Sequence, residues 1–337
     1  RGEWRIGAPG ALLTTMHASP DATSDATVPT IAIAIPTYCR EQVLLDTLAS
    51  VFATCPTAHE VVVVDQSPDH EPHVEAQLAA WASAGRLRLV TQEPSLPAAR
   101  NRALAECTAE VVVFLDDDVT VSPGLLEAYA AAFASPDVAA VGGRVRVSRD
   151  TPFPARPDWP LIRDYHYLDV GADAPLEHVA SVRGCNHAVR REATLAIGGY
   201  DETYRGWLRE ETDCILRLLW AGHRVTFEPA ADVLHHESPS GGTRAVDESV
   251  ADRMQCVMYF AWRHLWPRGE FWKDVTYRQL REWGPRLLAR QAGNSRLRLF
   301  GGMCAAVWRG WRLARRRPDR CPAAVQERLW GSARAAR

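Results

Sequence analysis

Residues 111–118 read Val-Val-Val-Phe-Leu-Asp-Asp-Asp. An apolar run rich in β-branched residues is typical of a strand that is buried on both faces, and the three acids cannot share that burial. We therefore place them at the end of the strand, at the mouth of a sheet. Because adjacent carboxylates repel one another, we expect a divalent cation or several hydrogen-bond donors to compensate their charge, and Mg²⁺ and Mn²⁺ are the natural candidates. The alternative is an acidic turn that leads into a helix.

Strands alternate with helices on both sides of this stretch. Helical spacing or short apolar runs predict the following elements: strands at 31–35 (stopped by Pro36), 61–64, 87–90 and 138–147, and helices over 98–107 and from Ser122 as N-cap with Pro123 at the first helical position. Such alternation predicts βαβ units, and hence an α/β fold with a mostly parallel sheet flanked by helices.

Parallel strands end at one edge of a sheet, and open α/β sheets bind ligands in the crevice outside that edge. Tyr38 offers a flat face for a base after the first strand, and Asp65 ends the second strand with an acceptor for a base or ribose. Arg40, Arg100 and Asn101 follow strands or begin a helix at the same edge. Together with the acids of 116–118, these residues predict a nucleotide pocket.

Composition excludes several other classes of protein. A net charge of −2 argues against nucleic acid as a partner, and 47% hydrophobic residues exclude general disorder. There is no G-x-G-x-x-G after the first strand and no P-loop motif, so neither a dinucleotide fold nor a P-loop NTPase is supported. Eight scattered cysteines without a Cys-x-x-Cys pair, and the lack of a leader or a long apolar run, predict a cytoplasmic protein with reduced thiols.

Two further clusters carry chemistry. Residues 207–213 read Trp-Leu-Arg-Glu-Glu-Thr-Asp; a helix that begins near Arg209 places Glu211 on its apolar face, and Asp213 can pair with Arg217. The alternative is that these acids only favour the first turn of a helix. Residues 231–237 predict an alternating strand whose end delivers His235 to a site of carboxylate and phosphate oxygens.

These pieces together resemble glycosyltransferase family 2 with the GT-A fold, over about residues 30–244. The resemblance is carried, in order, by Ile-Pro-Thr-Tyr-Cys-Arg (35–40), Val-Val-Val-Val-Asp (61–65), Ala-Arg-Asn (99–101), Phe-Leu-Asp-Asp-Asp (114–118), Gly-Cys-Asn (184–186), Gly-Gly-Tyr-Asp-Glu (198–202), Glu-Glu-Thr-Asp (210–213) and His235. The family usually carries Glu-Asp where this chain has Glu210-Glu211, and a Gly before Ala-Arg-Asn that is missing here.

The resemblance implies roles for these residues in a metal-dependent, inverting transfer. Asp118 and His235 would bind Mn²⁺ or Mg²⁺, and Trp207 would be a platform for an acceptor sugar, as in galactosyltransferases. Glu211 would be the general base, with Glu210 and Asp213 as alternatives. The nucleotide sugar, linked to UDP, GDP or dTDP, would contact Pro36, Thr37, Tyr38, Arg40, Asp65, Arg100, Asn101, Asp116, Asp117 and Asn186. Two other functions stay open: a nucleotidyltransferase-like enzyme and an inactive sugar-binding GT-A domain.

The domain organisation follows from the same pattern. We expect a disordered tail at 1–28 and a GT-A domain at 29–244, with a nucleotide-binding half (29–147) and an acceptor half (148–244). Residues 150–180 would form an irregular excursion over the site. Residues 245–337 are predicted to be helical and rich in Arg and Trp, either packing on the catalytic domain or contacting an anionic membrane at its inner face.

Overall fold

The computed structural model describes residues 28–148, 172–204, 209–242, 250–266, 296–317 and Leu329. The predicted tail up to residue 27, most of the predicted excursion (150–171) and Trp207 lie outside the described residues. In chain order the elements are β1 (Ile31–Thr37), α1 (Gln42–Thr54), β2 (Glu60–Asp65), α2 (Pro72–Ser83), β3 (Arg88–Thr91), α3 (Leu96–Glu106), β4 (Val111–Leu115), β5 (Val119–Val121), α4 (Leu125–Ala132), β6 (Val138–Val147), β7 (Asn186–Arg190), α5 (Arg191–Ala196), α6 (Glu210–Trp220), β8 (Arg224–His235), α7 (Val250–Phe260), a π-helical turn (Ala261–Leu265) and α8 (Arg296–Arg316).

The described strands form a single eight-stranded sheet in the order β3-β2-β1-β4-β7-β6-β8-β5. The first four strands of this order are parallel, as predicted. β7 then runs antiparallel to both β4 and β6, whereas β6 and β8 are parallel and β5 is antiparallel to β8. The sheet is therefore mixed, and its carboxyl edge at β1, β2 and β4 is continued by the end of β8.

The side chains of β1 point alternately to the two faces of the sheet and belong to two hydrophobic clusters. Ile31, Ile33 and Ile35 lie in the cluster that includes the apolar face of α1, and Ala32 and Ala34 lie in the cluster with α3. Small alanines on that side let the alanine-rich α3 approach the sheet closely. The alternation fixes which side of the sheet each helix covers, and thereby the direction in which its first turn faces the carboxyl edge.

Two local predictions were wrong. Pro36 does not stop the first strand, because β1 continues to Thr37 by pairing with β2 alone; the ladder to β4 ends at Ala34. The helix after β5 does not begin at Ser122-Pro123. It begins at Leu125 after Gly124, whose φ is 87°, while the Ser122 hydroxyl donates to Asp232.

The described C-terminal helices belong to the same core as α3 and α6. Met254, Val257 and Phe260 of α7 and Ala306 of α8 are buried in that cluster. No helix in the described ranges combines the length and the hydropathy needed to cross a membrane.

Candidate active site

The backbone of the three aspartates after β4 is fixed from different sides. The amide of Asp116 donates to the carbonyl of Cys185, the carbonyl of Asp117 accepts the Thr47 hydroxyl, and the carbonyl of Asp118 accepts the amide of His236. These bonds aim the three carboxylates at different partners. The end of β4 is therefore a rigid junction between sheet and cleft.

Asp116, Asp118 and His235 form one cluster at this edge, with ligand atoms that all lie within 4.8 Å of one another. His235 Nε2 lies 2.9 Å from Asp118 Oδ1 and 3.9 Å from Asp116 Oδ2. The side chain of Asp118 is 2% exposed, whereas that of Asp116 is 37% exposed and faces solvent. Two carboxylates and an imidazole at this spacing fit a Mg²⁺- or Mn²⁺-sized cation, with room for further oxygen ligands on the open side.

When no cation is bound, the proton on His235 and the guanidinium of Arg40 balance the negative charge of the carboxylates in this cluster. Burial disfavours the charged imidazole, but the hydrogen bond to Asp118 and the neighbouring acids raise the pKa of His235 to about 11. Burial also opposes ionisation of Asp118, yet His235 and Arg40 keep the pKa of Asp118 below its usual value. A cation that binds here has to displace the proton of His235.

Arg40 is buried beneath the acids. Its Nε donates to Asp117 Oδ1 at 3.0 Å, its Nη2 donates to Asp118 Oδ2 at 3.2 Å, and its Nη1 donates to the carbonyl of Ser240. Burial, opposed by Arg40, raises the pKa of Asp117 to about 7. Arg40 therefore holds two of the three acids and the loop after β8 together, and its donors are directed at protein groups rather than at the open cleft.

The ends of β1 and β2 place the predicted nucleobase residues side by side. Thr37 pairs with Asp65 in the parallel ladder, Pro36 and Thr37 are buried, and Tyr38 is half-buried at the edge. Asp65 accepts the backbone amide of Ser67 at 2.9 Å, and its Oδ2 lies 2.8 Å from His70 Nε2. These bonds pre-orient the Asp65 carboxylate at the carboxyl edge of the sheet.

A second acidic site lies at the first turn of α6. Arg100 Nη1 donates to Glu210 Oε1 at 2.9 Å, and both side chains are 2% exposed. Burial and the adjacent Glu211 carboxylate raise the pKa of Glu210 to about 8, while Arg100 limits that rise. Glu211 is only partly buried. The charge of Arg100 also acts on Glu211 and Asp116, which places the two acidic sites within electrostatic reach of one cation.

Asp213 lies one turn further along α6 and is completely buried. Its carboxylate accepts Arg217 Nε and His264 Nε2, each at 2.7 Å, as well as Arg263 and the Tyr204 hydroxyl. Although burial opposes it, Arg217 and the other donors hold the pKa of Asp213 far below its usual value. The predicted pairing of Asp213 with Arg217 is confirmed. With both oxygens engaged and no exposure, however, Asp213 is not placed to receive a substrate proton.

Two asparagines predicted to contact the nucleotide sugar have other positions. Asn186 is completely buried: its amide group donates to the carbonyls of Arg144 and Ala231, and its oxygen accepts the Tyr129 hydroxyl. Asn101 bonds both the amide and the carbonyl of Tyr200, which fixes the turn that follows α5. The structure thus places Asn186 inside the fold and Asn101 against a turn, because both amides are occupied by protein groups.

The sequence interpretation missed His70 and two of the partners of Asp213, Arg263 and His264. His70 lies within 2.8 Å of Asp65 and 3.4 Å of Glu41, and Arg263 and His264 come from the π-helical turn after α7. His70 carried a local signal, since it follows Asp65 by five residues on the way into α2. No sequence signal linked Arg263 to Asp213, which lies 50 residues earlier.

Two protein-family models match the sequence of this chain. The model of glycosyl transferase family 2 matches residues 32–198, and that of the N-terminal domain of galactosyltransferase matches residues 174–238. The two matches overlap and together run from β1 to the loop after β8. They therefore include both acidic sites and Arg40.

Characterised relatives match over parts of the chain. A pre-mycofactocin glycosyltransferase of Mycobacterium tuberculosis is 38% identical over 142 residues, which is 41% of this chain and 29% of that protein. A glucosyl-dolichyl phosphate glucuronosyltransferase of Haloferax volcanii is 26% identical over 226 residues, 61% of this chain and 68% of that protein. The chain thus spans less than a third of the length of the first of these relatives.

Solved structures share the fold at low sequence identity. TarS of S. aureus in complex with UDP-GlcNAc superposes with a TM-score of 0.59 at 15% identity, covering 82% of this chain and 81% of that one. GalNAc-T7 with UDP, GalNAc and Mn²⁺ gives a TM-score of 0.54 at 15% identity, covering 78% of this chain and 57% of that one. These likenesses support the GT-A architecture predicted from the motifs.

Proposed function

Because the chain belongs to glycosyltransferase family 2, we propose that it is an inverting enzyme that moves a sugar from a nucleoside-diphosphate donor to an acceptor hydroxyl. One observation carries the proposal: the carboxyl edge of the sheet brings together the Asp116, Asp118 and His235 cluster, the Asp65 carboxylate at the end of β2, and the Glu210-Glu211 pair of α6. The Asp65 carboxylate suits a nucleobase, the cluster of Asp116, Asp118 and His235 suits a metal-bound diphosphate, and the Glu210-Glu211 pair suits an acceptor hydroxyl.

We assign the metal to Asp116, Asp118 and His235. The donor set fits, because two carboxylate oxygens and one imidazole nitrogen converge within 4.8 Å and one of the carboxylates is open to solvent. Bound Mn²⁺ or Mg²⁺ would supply Lewis-acid stabilisation to the leaving diphosphate. The Mn²⁺ and UDP in the GalNAc-T7 structure support the assignment by analogy of fold.

For the donor, Asp65 is the proposed acceptor of a hydrogen bond from the nucleobase, beside Tyr38 as a flat surface. Uracil, thymine and guanine each present a ring N–H, which a carboxylate can accept; cytosine and adenine present a ring acceptor there instead. Asp65 therefore favours UDP-, dTDP- or GDP-linked sugars. His70 holds this carboxylate in place at 2.8 Å.

For the acceptor, Glu211 is the proposed general base. Inversion requires the acceptor oxygen to attack the anomeric carbon from the face opposite the diphosphate, so that the new C–O bond forms as the bond to the diphosphate breaks. The hydroxyl proton passes to a carboxylate on the acceptor side. Glu211 is the partly exposed member of the pair, whereas Glu210 is committed to Arg100. Trp207 remains a predicted acceptor platform.

The acceptor class is proposed from the relatives. The name of the Haloferax volcanii relative includes a dolichyl phosphate, a lipid-linked acceptor. A polyprenyl-linked glycan is therefore the first acceptor to test. Residence on the inner face of a membrane, predicted from sequence, is part of the same proposal.

A thermal-shift panel of nucleoside diphosphates and nucleotide sugars, with and without Mn²⁺, tests donor binding, because a ligand that binds only the native state raises its stability by mass action. We expect shifts with uracil, thymine or guanine nucleotides that require the metal. Incubation of the best donor alone then separates an enzyme, which slowly hydrolyses it, from an inactive sugar-binding domain, which does not. The anomeric configuration of a transfer product, read by NMR, tests inversion.

A further inference from the structure

The last described helix, α8, has two contrasting faces. Ala306 and Gly310 are buried, and Val307, Leu313 and Ala314 pack against the core shared with α3 and α6. At Gly310, a Cβ atom would lie 2.6 Å from Met258 Cβ and 2.7 Å from the backbone nitrogen of Tyr259. Glycine thus lets α8 pack backbone to backbone on α7, and this face of the helix is fully used.

The opposite face points outward and follows helical spacing. It is formed by Cys304, Trp308, Trp311, Arg312 and Arg315, which we call the Trp-Arg stripe. Trp308 is 53% exposed, a high value for a side chain of this size. The guanidinium carbon of Arg312 lies 4.7 Å from the ring centre of Trp308, and that of Arg315 lies 4.8 Å from that of Trp311. The stripe therefore carries two parallel Trp-Arg pairs, each at i, i+4.

All the charged side chains of α8 are positive. Its 21 residues include six arginines and no acid, and Arg317 follows immediately, in a chain whose net charge is −2. Arg312, Arg315 and Arg316 are exposed. These three arginines form no ion pair with a described residue. A face that combines such arginines with tryptophan is complementary to an anionic surface that has an apolar layer beneath it.

We propose that the Trp-Arg stripe of α8 is a docking surface for an anionic phospholipid bilayer. Tryptophan is the side chain best suited to the headgroup level of a bilayer, and arginine adds attraction to acidic headgroups. Nucleic acid fits less well, because Arg312 and Arg315 lie over the indole faces on which bases would have to stack. The stripe lies on the surface of a helix whose other side is packed, so it contacts the membrane without crossing it.

The residue that follows α8, Arg317, connects the end of this helix to the proposed acceptor side of the site. Arg317, just beyond the end of α8, donates to Asp201 Oδ1 at 2.8 Å, and Arg263 bridges Asp201 and Asp213. Asp213 belongs to the first turns of α6, which also carry Glu211. Docking through α8 would therefore hold the acceptor side of the enzyme at the bilayer. This orienting role rests on the proposed function, whereas binding of vesicles by the stripe does not.

Vesicle co-sedimentation with the full chain tests the proposal. We expect binding to phosphatidylcholine vesicles that contain about a third phosphatidylglycerol, weak binding to pure phosphatidylcholine, and loss of binding at high salt. In the triple variant Trp308→Ala, Arg312→Gln, Arg315→Gln, affinity should fall at least about 25-fold, because each basic residue at such a surface contributes roughly fivefold. The charge-matched control Leu195→Ala, Arg86→Gln, Arg102→Gln removes an exposed leucine and two exposed arginines elsewhere, and should bind as the wild type does.

A second readout locates the contact. A polarity-sensitive fluorophore on Cys304, in a chain with Cys39→Ser and Cys321→Ser, should shift to the blue on addition of anionic vesicles. No binding to anionic vesicles, equal binding to neutral ones, or unchanged binding by the triple variant would each overturn the proposal. Binding to a short RNA without binding to vesicles would assign the stripe to a different polyanion and also overturn it. A chain that binds vesicles but no nucleotide would keep this inference and remove the proposed function.

Discussion

Arg100 and Glu210 stand 110 residues apart in the chain and form an ion pair that solvent hardly reaches, with Nη1 and Oε1 separated by 2.9 Å. The second Glu210 oxygen, Oε2, has no hydrogen-bond partner within the described part of the structure. Arg100 also donates to the carbonyl of Gly184 at 3.4 Å, just before β7. One guanidinium thus connects α3, the approach to β7 and the first turn of α6.

Removing the arginine of this pair should be costly. In Arg100→Gln the buried Glu210, whose pKa is already about 8, stays protonated at neutral pH but loses its donor to Oε1, and we expect the free energy of unfolding to fall by roughly 1–3 kcal/mol. Urea unfolding monitored by circular dichroism measures the change. Arg102→Gln, on the exposed side of the same helix, is the control and should shift stability by less than about 0.5 kcal/mol. Similar losses for both variants would mean that the pair is not a special contact.

The stability of the wild type should depend on Glu210 in a definite pH window. Its folded-state pKa of about 8 exceeds the ordinary value of 4.5, so the folded protein holds the proton more tightly than the unfolded chain does. The Glu210 contribution is therefore largest below pH 4.5, declines as the pH rises through the window, and is constant above about 8. Subtracting the profile of Glu210→Gln from that of the wild type isolates this decline. A flat difference across this window would contradict the assignment.

Substitutions of Glu211 and Asp213 in α6 should affect different properties: turnover for Glu211 and stability for Asp213. Glu211→Gln is expected to lower kcat by roughly 10² to 10⁴-fold, the usual range for general-base assistance, while the donor-induced thermal shift stays unchanged. Asp213→Asn should instead reduce stability, because Arg217 and Arg263 would lose their buried counter-charge. Near-normal turnover in Glu211→Gln would move the role of base to Glu210.

Loss of the metal cluster should abolish tight donor binding. EDTA, Asp118→Asn and His235→Ala are each expected to remove the Mn²⁺-dependent thermal shift given by the donor, since ligand oxygens or nitrogens are lost. His236→Ala is the matched control: His236 is the next residue, is exposed, and bonds Thr120 instead of the acids. An unchanged shift in His235→Ala would remove His235 from the metal site.

Two glycines of α8 should respond in opposite directions. A Cβ atom added at Gly301 would meet no described atom within 4 Å, so Gly301→Ala should stabilise the protein by up to about 1 kcal/mol through helix propensity. Gly310→Ala would push a methyl group into the backbone of α7 and should cost roughly 1–3 kcal/mol. Thermal unfolding of both variants measures the contrast. Equal effects would mean that α8 does not pack closely on α7.

The central strands were predictable because continuous apolar runs have few other interpretations. β2 and β4 were confirmed almost to the residue, and the acids at the end of β4 lie at the sheet edge, as parallel topology requires. The helix start at Ser122 was wrong because capping rules are local. The positive φ of Gly124 and the bond from Ser122 to Asp232, 110 residues away, decided it instead.

The sequence did not show which of the two glutamates of α6, Glu210 or Glu211, is the more buried. Periodicity favoured Glu211 as the inward-facing member, but almost the whole circumference of α6 is buried, and Glu210 is the more enclosed of the two. A helix covered on every side gives no apolar stripe from which to choose. The occupied amide of Asn186 and the contacts of Asp213 with Arg263 and His264 could not be predicted either, since these partners come from distant parts of the chain.

Asp201 and Asp213 draw three of their cationic or imidazole partners, Arg263, His264 and Arg317, from beyond residue 242. A minimal fragment trimmed to the boundary of the family resemblance would take Arg263, His264 and Arg317 away from these two buried carboxylates and leave Asp213 with Arg217 and the Tyr204 hydroxyl. The described C-terminal helices are in that sense part of the same folding unit as α6, and a shortened version of the protein should keep them attached.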